Sequence, residues 1–541
     1  MADALPEPAN PVDTDYEIGQ DNVQVLGLDI HNPVFFVSAV IIIAFVILSL
    51  MFQEGTAAFF GWLRPALTET FDWPLLMSAN LFVLFSLFLI VSPLGNVRLG
   101  GQDARPDYGY AGWFAMLFAA GMGIGLMFFG VSEPLSHYAS SFGGTAVENG
   151  LRTDWAPLGA AAGNTEAARE LAMAATIFHW GLHPWAIYAI VALALAFFSY
   201  NRGLPLTLRS AFYPILGERV WGWPGHVIDT LAVFATLFGL ATSLGFGAEQ
   251  AMAGLDFLFG LGVSDVAKVI LIMAITGVAL ISVVAGLDAG VKRLSEINMV
   301  LAAALLLFIL FAGPTAVIVT GLLDNTVAYV KELVPLSNPF GREDTNFMQG
   351  WTAFYWAWWI SWSPFVGMFI ARVSRGRTVR EFITCVILIP TAVCILWMST
   401  FGGAAIHETV SAGHQEIVDA AQELKLFVMA EYFPLTSIIS FVGIVLVIVF
   451  FVTSSDSGSL VIDTITAGGK VDAPVAQRVF WALFEGLVAI VLLLGGGLGA
   501  LQAAAVATGI PFAFVLLVMM VATYMGLRRE RLIDTGKLKT A

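Results

Sequence analysis

Five of the chain's 15 tryptophans fall within twelve residues, in the run Trp351-Thr352-Ala353-Phe354-Tyr355-Trp356-Ala357-Trp358-Trp359-Ile360-Ser361-Trp362-Ser363-Pro364-Phe365. Phe354, Trp358 and Trp362 are spaced four apart and share one helix face, with Trp359 flanking it. A face of this kind suits cation–π binding, which is strongest for tryptophan and well matched to quaternary ammonium groups. An interfacial aromatic belt is the plainer reading, but a belt occupies one helix end and this run covers about three turns. A second aromatic set, Trp180, Trp185 and Tyr188, lies in Phe178-His179-Trp180-Gly181-Leu182-His183-Pro184-Trp185-Ala186-Ile187-Tyr188. On an ideal helix Trp180 and Trp185 would point about 140° apart, unless Pro184 disturbs the turn.

Three other features bear on chemistry. His179 and His183 have the i, i+4 spacing of a zinc pair. Without an HExxH pattern or a third ligand they read as buried, hydrogen-bonded histidines. The run Ala119 to Gly130 carries Gly121, Gly123 and Gly125 at alternate positions. It reads either as close helix packing or as a break that frees backbone carbonyls and lets a ligand approach. The polar run Thr453-Ser454-Ser455-Asp456-Ser457 ends an apolar block. It is either a cytoplasmic helix end or a set of hard oxygen ligands for Na⁺. No G-x-S-x-G elbow, P-loop or nucleophile–base pair is visible, so the reading is not an enzyme and not an ATP-driven pump.

The elements that must position these residues are membrane helices. Of the 541 residues, 58% are hydrophobic and 12% charged, too little polar surface to cover a soluble globule. A formal charge of −15 excludes a nucleic-acid binder. Apolar blocks of about 20 residues, each enough to cross a bilayer, give twelve spans: 33–53, 74–94, 109–131, 172–199, 226–252, 267–286, 298–320, 349–371, 379–401, 435–455, 476–495 and 503–526. A short surface helix is expected in 402–434. With the N-terminus in the cytoplasm, 18 of the 25 basic residues fall on the inner side. The other seven, Arg64, Arg152, Arg169, Lys268, Lys331, Arg342 and Lys425, fall outside. This split obeys the positive-inside rule, with both termini cytoplasmic. The first 32 residues hold seven acids and no Lys or Arg, which reads as a disordered acidic tail and not as a signal peptide. Cys385 and Cys394, nine residues apart, are too distant along a helix for a disulfide and read as core residues.

Taken together, GMGIGLMFFG, FHWGLHPWAIY and WTAFYWAWWISWSPFVGMFIARVSRGRTVREF resemble the betaine/choline/carnitine transporter family, over about residues 30 to 526. The resemblance implies an all-α polytopic membrane protein of twelve transmembrane helices, with two five-helix inverted repeats (spans 3–7 and 8–12). Its parts would be an acidic cytoplasmic tail (1–32), two accessory helices (33–108), the first repeat with a following surface segment (109–348), the second repeat (349–526) and a short basic tail (527–541). It further implies that Trp180, Trp185, Tyr188, Phe354, Trp358, Trp359 and Trp362 box a methylated cation, with Gly123 and Gly125 beside the substrate. One sodium site would use backbone at Ala119 and Met122 with Phe450, Thr453 and Ser454. A second would use Thr236 and the ring of Phe365. The family places another threonine one turn after Thr236, where this chain has Leu240; Thr242 and Ser243 are the nearby substitutes.

Choline transporters of the family carry an aspartate where this chain has Gly125, a charge that would repel a zwitterion's carboxylate. The expected activity is therefore sodium-coupled uptake of glycine betaine or a sulfonium analogue such as dimethylsulfoniopropionate. A sodium-independent or proton-coupled choline or carnitine carrier is the alternative, and a quaternary-ammonium receptor is the alternative from another class. No cofactor is expected beyond Na⁺ as coupling ion. The partners are the onium substrate and membrane lipid, and the resemblance implies a homotrimer in a bacterial inner membrane. Osmosensing members carry a long basic C-terminal extension; here 14 residues follow Leu527, so constitutive uptake is expected.

Overall fold

A computed structural model describes residues 8–121, 123–144, 146–148, 151–159, 161–285 and 288–538. Helix α1 (Asn32–Met51) has Pro33 in its first turn, where a missing N–H costs nothing. Phe52 alone links it to α2 (Gln53–Val91), 39 residues long. At about 58 Å, α2 exceeds any hydrocarbon core, so its first half occupies what the hydropathy reading leaves as an outer loop.

The third expected span is two helices, α3 (Tyr110–Gly121) and α4 (Ile124–Gly143), parted at Gly123, whose backbone is fully extended (φ −169°, ψ −176°). The fourth is also two, α5 (Thr165–Trp180) and α6 (Leu182–Tyr200), parted at Gly181. After a short α7 (Tyr213–Leu216) come α8 (Trp223–Phe259), α9 (Asp265–Ala285) and α10 (Asp288–Ala312). Gly313 and Pro314 end α10 before the expected residue 320 and start a separate helix, α11 (Thr315–Ser337). One side of α11 leaves Val319, Leu323, Val327, Val330 and Val334 exposed. A three-residue α12 (Thr345–Phe347) and a π-helical turn, Met348–Thr352, lead into α13 (Ala353–Val373). Helix α14 (Val379–Val410) opens on a side-chain N-cap, the Thr378 hydroxyl accepting from the Glu381 N–H. The acidic stretch after it holds α15 (Glu416–Asp419), at the surface as expected, and α16 (Lys425–Ala430), five of whose six residues are buried. Helices α17 (Thr436–Thr466), α18 (Val475–Leu494) and α19 (Gly497–Asp534) complete the chain.

Every residue of α6 except its first is buried, as is most of α13. These two pack along each other at the centre, with α8 and α19 against α13 and α17 against α8. Helices apolar on all sides belong inside a bundle, and these two are its axis.

Among the described residues, ten helical stretches are long and apolar enough to cross a membrane, α5–α6 counting as one. The two expected spans outside that set are α3–α4, which is broken, and α13, whose tryptophans, tyrosine and serines lower its hydropathy. The spans with the most chemistry are those least apolar.

The acidic leader departs from expectation. From residue 8 to 31 it is built into one end of the molecule. The N–H groups of Ala9, Asn10 and Val12 donate to the carbonyls of Tyr200, Asn201 and Arg202. The Asn10 amide donates to Glu530 (2.9 Å), which is also ion-paired with Arg202 (2.8 Å). Strands β1 (Asn22–Val25) and β2 (Leu28–His31) form a hairpin, held to the segment after α17 by a Lys470–Asp29 pair (2.5 Å). The segment has no core of its own. Its backbone finds carbonyls at the end of α6 instead, which composition does not reveal.

At the other end, Asp154 accepts from the N–H and hydroxyl of Thr345 (2.6 and 2.8 Å) and Arg64 donates to the Gly350 carbonyl (2.9 Å). These contacts join loops that the charge count places on the same side.

Candidate functional site

The breaks in the fourth and third spans bring the aromatic residues together. At Gly181 the chain leaves helical geometry (φ −95°, ψ −126°), and the Leu182 N–H that opens α6 donates to the Tyr329 hydroxyl of α11 (3.1 Å). The break offsets α6 from α5, so Trp180 and Trp185 reach the same cavity despite their unfavourable helical spacing. The cavity lies among α4, α5, α6, α8, α13 and α14. Trp180, Trp185, Tyr188, Trp358, Trp359 and Trp362 line it, together with Gly123 and Gly125. Leu126, Pro184, Ser243 of α8 and Cys394 of α14 complete the wall.

Phe354 does not line this cavity. It lies one turn behind, stacked on Trp358 (centroids 5.5 Å apart, 14° between planes). Trp358 in turn stacks on Trp359 (4.7 Å, 17°), which meets Trp180 nearly edge-on (4.9 Å, 75°). Trp185 and Tyr188 are also edge-on (5.4 Å, 79°). Gly125 permits this packing: a Cβ there would lie 2.7 Å from Trp180 Cη2 and 3.1 Å from Trp358 Cη2. An aspartate at this position would displace two walls of the cavity.

Behind Trp180 lies a polar knot that the sequence reading did not find. Glu133 of α4, fully buried, takes His137 Nε2 (3.1 Å) and His179 Nδ1 (2.6 Å) on one oxygen. Its other oxygen takes the Trp180 indole N–H (2.7 Å) and the Tyr355 hydroxyl. Accepting all four places the proton of His137 on Nε2 and of His179 on Nδ1, so the Thr352 hydroxyl donates to His179 Nε2 (2.9 Å). Trp359 donates to the His179 carbonyl (2.9 Å). A fully satisfied buried carboxylate ties α4, α5 and α13 together. The signal was present, an acid within an apolar block, but hydropathy ended the third span at 131 and left Glu133 in a loop.

His179 and His183 diverge: His183 meets the Asn80 amide oxygen instead (3.0 Å). Glu133, His137 and His179 do bring three ligand atoms within 4.8 Å of one another. In this structure both imidazoles hydrogen-bond the same Glu133 oxygen.

The described residues expected to hold sodium lie on four helices, α3, α8, α13 and α17. Ala119 is in α3, and Met122 lies outside the described residues. Phe450, Thr453 and Ser454 are in α17, which packs against α4 and α8. The Thr453 hydroxyl donates to Val449 O (3.0 Å) and the Thr236 hydroxyl to Ala232 O (2.7 Å). A hydroxyl that gives its hydrogen back to its own helix keeps its lone pairs for a cation. Phe365 packs on Trp362 (5.4 Å). Leu240 is fully buried and fills the space over Gly458, where a Cβ would fall 2.2 Å from its methyl carbon. Thr242 contacts the Leu501 carbonyl of α19 (2.9 Å), whereas Ser243 faces the aromatic cavity.

Residues 33–532 match the betaine/carnitine/choline family of transporters. A glycine betaine/proline/choline transporter of Vibrio parahaemolyticus is 63% identical over 534 residues, covering 98% of this chain and 97% of the relative. A glycine betaine transporter of the same species is 54% identical, covering 96% and 98%. A glycine betaine transporter of Bacillus subtilis is 43% identical, covering 86% and 88%. The match spans both broken spans and the whole tryptophan run, and the chain belongs to the betaine/carnitine/choline family of membrane transporters.

Proposed function

We propose that this chain takes up a small zwitterionic onium compound, glycine betaine or a sulfonium analogue, by sodium-coupled alternating access. The observation that carries the reading is the tryptophan-walled cavity. Its ring faces suit a methylated cation. Three donors at it, Tyr188 OH, Trp358 Nε1 and Trp362 Nε1, have no partner among the described residues. Buried donors without partners are costly, and a carboxylate on the same ligand satisfies them. Each of the three relatives named above has glycine betaine in its name, which supports the same substrate here. The hydroxyls of Thr453 and Thr236 supply hard oxygen for Na⁺.

The scaffold in this reading is twelve helices in two inverted repeats, each opening on an irregular helix, α3–α4 and then α13. It sits in the inner membrane as a homotrimer, with both termini cytoplasmic. The same-side pairing of loops at each end of the molecule supports that topology.

Labelled glycine betaine uptake into proteoliposomes tests the reading, with and without an inward Na⁺ gradient. Sodium-dependent accumulation is expected. In Thr453→Ala the half-saturating Na⁺ concentration is expected to rise about tenfold, the effect of about 1.4 kcal/mol of lost coordination. Uptake indifferent to Na⁺ would identify an exchanger. The choline in the name of the 63% identical relative makes that cation the competitor to measure alongside.

A further inference from the structure

Helix α14 reaches the aromatic cavity with a single side chain, Cys394, which is 2% exposed. Three residues later Trp397 fixes the helix there, its indole N–H donating to the Leu126 carbonyl of α4 (3.0 Å). A Cβ on Gly130 would lie 2.8 Å from Trp397 Nε1, so α4 and α14 meet at close range and leave little room for α14 to retreat. Cys394 lies within hydrogen-bonding reach of the Trp185 indole and close to Tyr188. Tyr188 lines the same cavity, is 2% exposed, and its hydroxyl has no partner among the described residues. A buried donor left unpaired is costly, so this part of the wall is one where a ligand, and not protein, completes the contacts. The rings beside it have to stay large to offer their faces to a cation. A thiol behaves as a small hydrophobe and has no such duty. In an apolar pocket one methylene more or less changes selectivity by about 10–200-fold.

We propose that Cys394 sets the size limit of the cavity, selecting onium compounds by bulk where its thiol ends and the ligand's alkyl groups begin. The proposal deepens the function proposed above and rests on the aromatic cavity being the substrate site. Cys394 is also the one cysteine among the lining residues, which makes the wall chemically addressable. Its thiolate attacks the sulfenyl sulfur of an alkyl methanethiosulfonate. The new S–S bond forms as methanesulfinate leaves with the bonding electron pair, and the thiol proton passes to water. A reagent with a trimethylammonium head is drawn to the cavity by the same ring faces as the substrate.

The full-length protein in proteoliposomes serves for the test, with Cys385→Ser as background because Cys385 lies outside the cavity wall. Trimethylammonioethyl methanethiosulfonate should place one adduct per chain on Cys394, read by mass spectrometry, and lower uptake about tenfold or more. Dithiothreitol should restore uptake, and saturating glycine betaine should slow the labelling about tenfold. Cys394→Ser, close in size, should resist the reagent and keep the substrate preference. Cys394→Ala should raise Vmax/KM for the triethyl analogue of glycine betaine about tenfold relative to glycine betaine itself, and Cys394→Leu should lower Vmax/KM for glycine betaine about tenfold. An adduct that leaves uptake intact, or that forms as fast with betaine present, would overturn the size limit. So would one substrate ratio shared by the wild type and the Ala and Leu variants, and that ratio decides alone if the buried thiol takes no reagent. Loss of uptake in Trp362→Leu with unshifted ratios in the Cys394 variants would sink the size limit and spare the aromatic cage. Intact uptake in Trp362→Leu with shifted ratios would sink the cage and spare the size limit.

Discussion

On the side of the aromatic cavity built on α4 and α5, the polar atoms are engaged. Trp180 and Tyr355 donate to Glu133, and His179 is held at both ring nitrogens. Elsewhere in the wall, Tyr188, Trp358 and Trp362 carry an O–H and two N–H groups without partners among the described residues. Both sides are aromatic and buried, yet one is a fixed frame and the other holds donors in reserve. A cage with every ring pinned would bind a cation but could not grip a carboxylate. One with every ring loose would lose the preorganisation that makes ring faces effective. In the proposed function the difference would give each part its own job: the pinned part would set where the onium sits, and the other would read what is attached to it.

This contrast can be broken experimentally. Glu133→Gln keeps the shape but turns one acceptor into a donor facing other donors. We expect uptake to fall more than about 100-fold together with Tm, as for the loss of one partner in a buried charged network. A change confined to KM would mean that the knot is not a frame. Trp362→Leu should leave Tm unchanged and raise KM about 30-fold, or about 2 kcal/mol of desolvated cation–π contact. Gly125→Ala presses a methyl against Trp180, which cannot yield, and Trp358. An approximately tenfold loss in Vmax/KM is expected, or about 1.4 kcal/mol. Its suppression by Trp180→Phe would show that the pinned ring is the obstacle. Tyr188→Phe removes one donor. About a fivefold rise in the glycine betaine KM is expected, near 1 kcal/mol for a neutral hydrogen bond, with choline competition unchanged. Equal effects on both ligands would erase the division of labour.

Much of the cavity is legible in the sequence because tryptophan in a membrane span is conspicuous and its four-residue spacing survives in α13. Eight of the residues named from it line one cavity. Phe354 keeps the same spacing but falls one turn too far along and supports Trp358 from behind. The fourth span was harder to read, since helical geometry separates Trp180 from Trp185 and only the break at Gly181 reunites them. Glu133 was missed because hydropathy ends a span where polarity begins, while α4 runs on to Gly143. Ser243 was noted as a stand-in for sodium ligation, and the rotation of α8 turns it toward the aromatic cavity instead. The docked leader was beyond reach for another reason: its partners are backbone carbonyls and residues hundreds of positions away.

That docking also has a consequence for biosynthesis. Asn10 hydrogen-bonds Glu530, 520 positions later in the chain. At about 5–20 residues per second of synthesis, Asn10 waits about half a minute to two minutes for this partner to be made. Until α19 is in place, the leader's contacts with the end of α6 lack the Glu530 carboxylate that also holds Asn201 and Arg202. Closure of this clasp therefore reports that the final helix has arrived, and a truncated chain leaves its own beginning undocked.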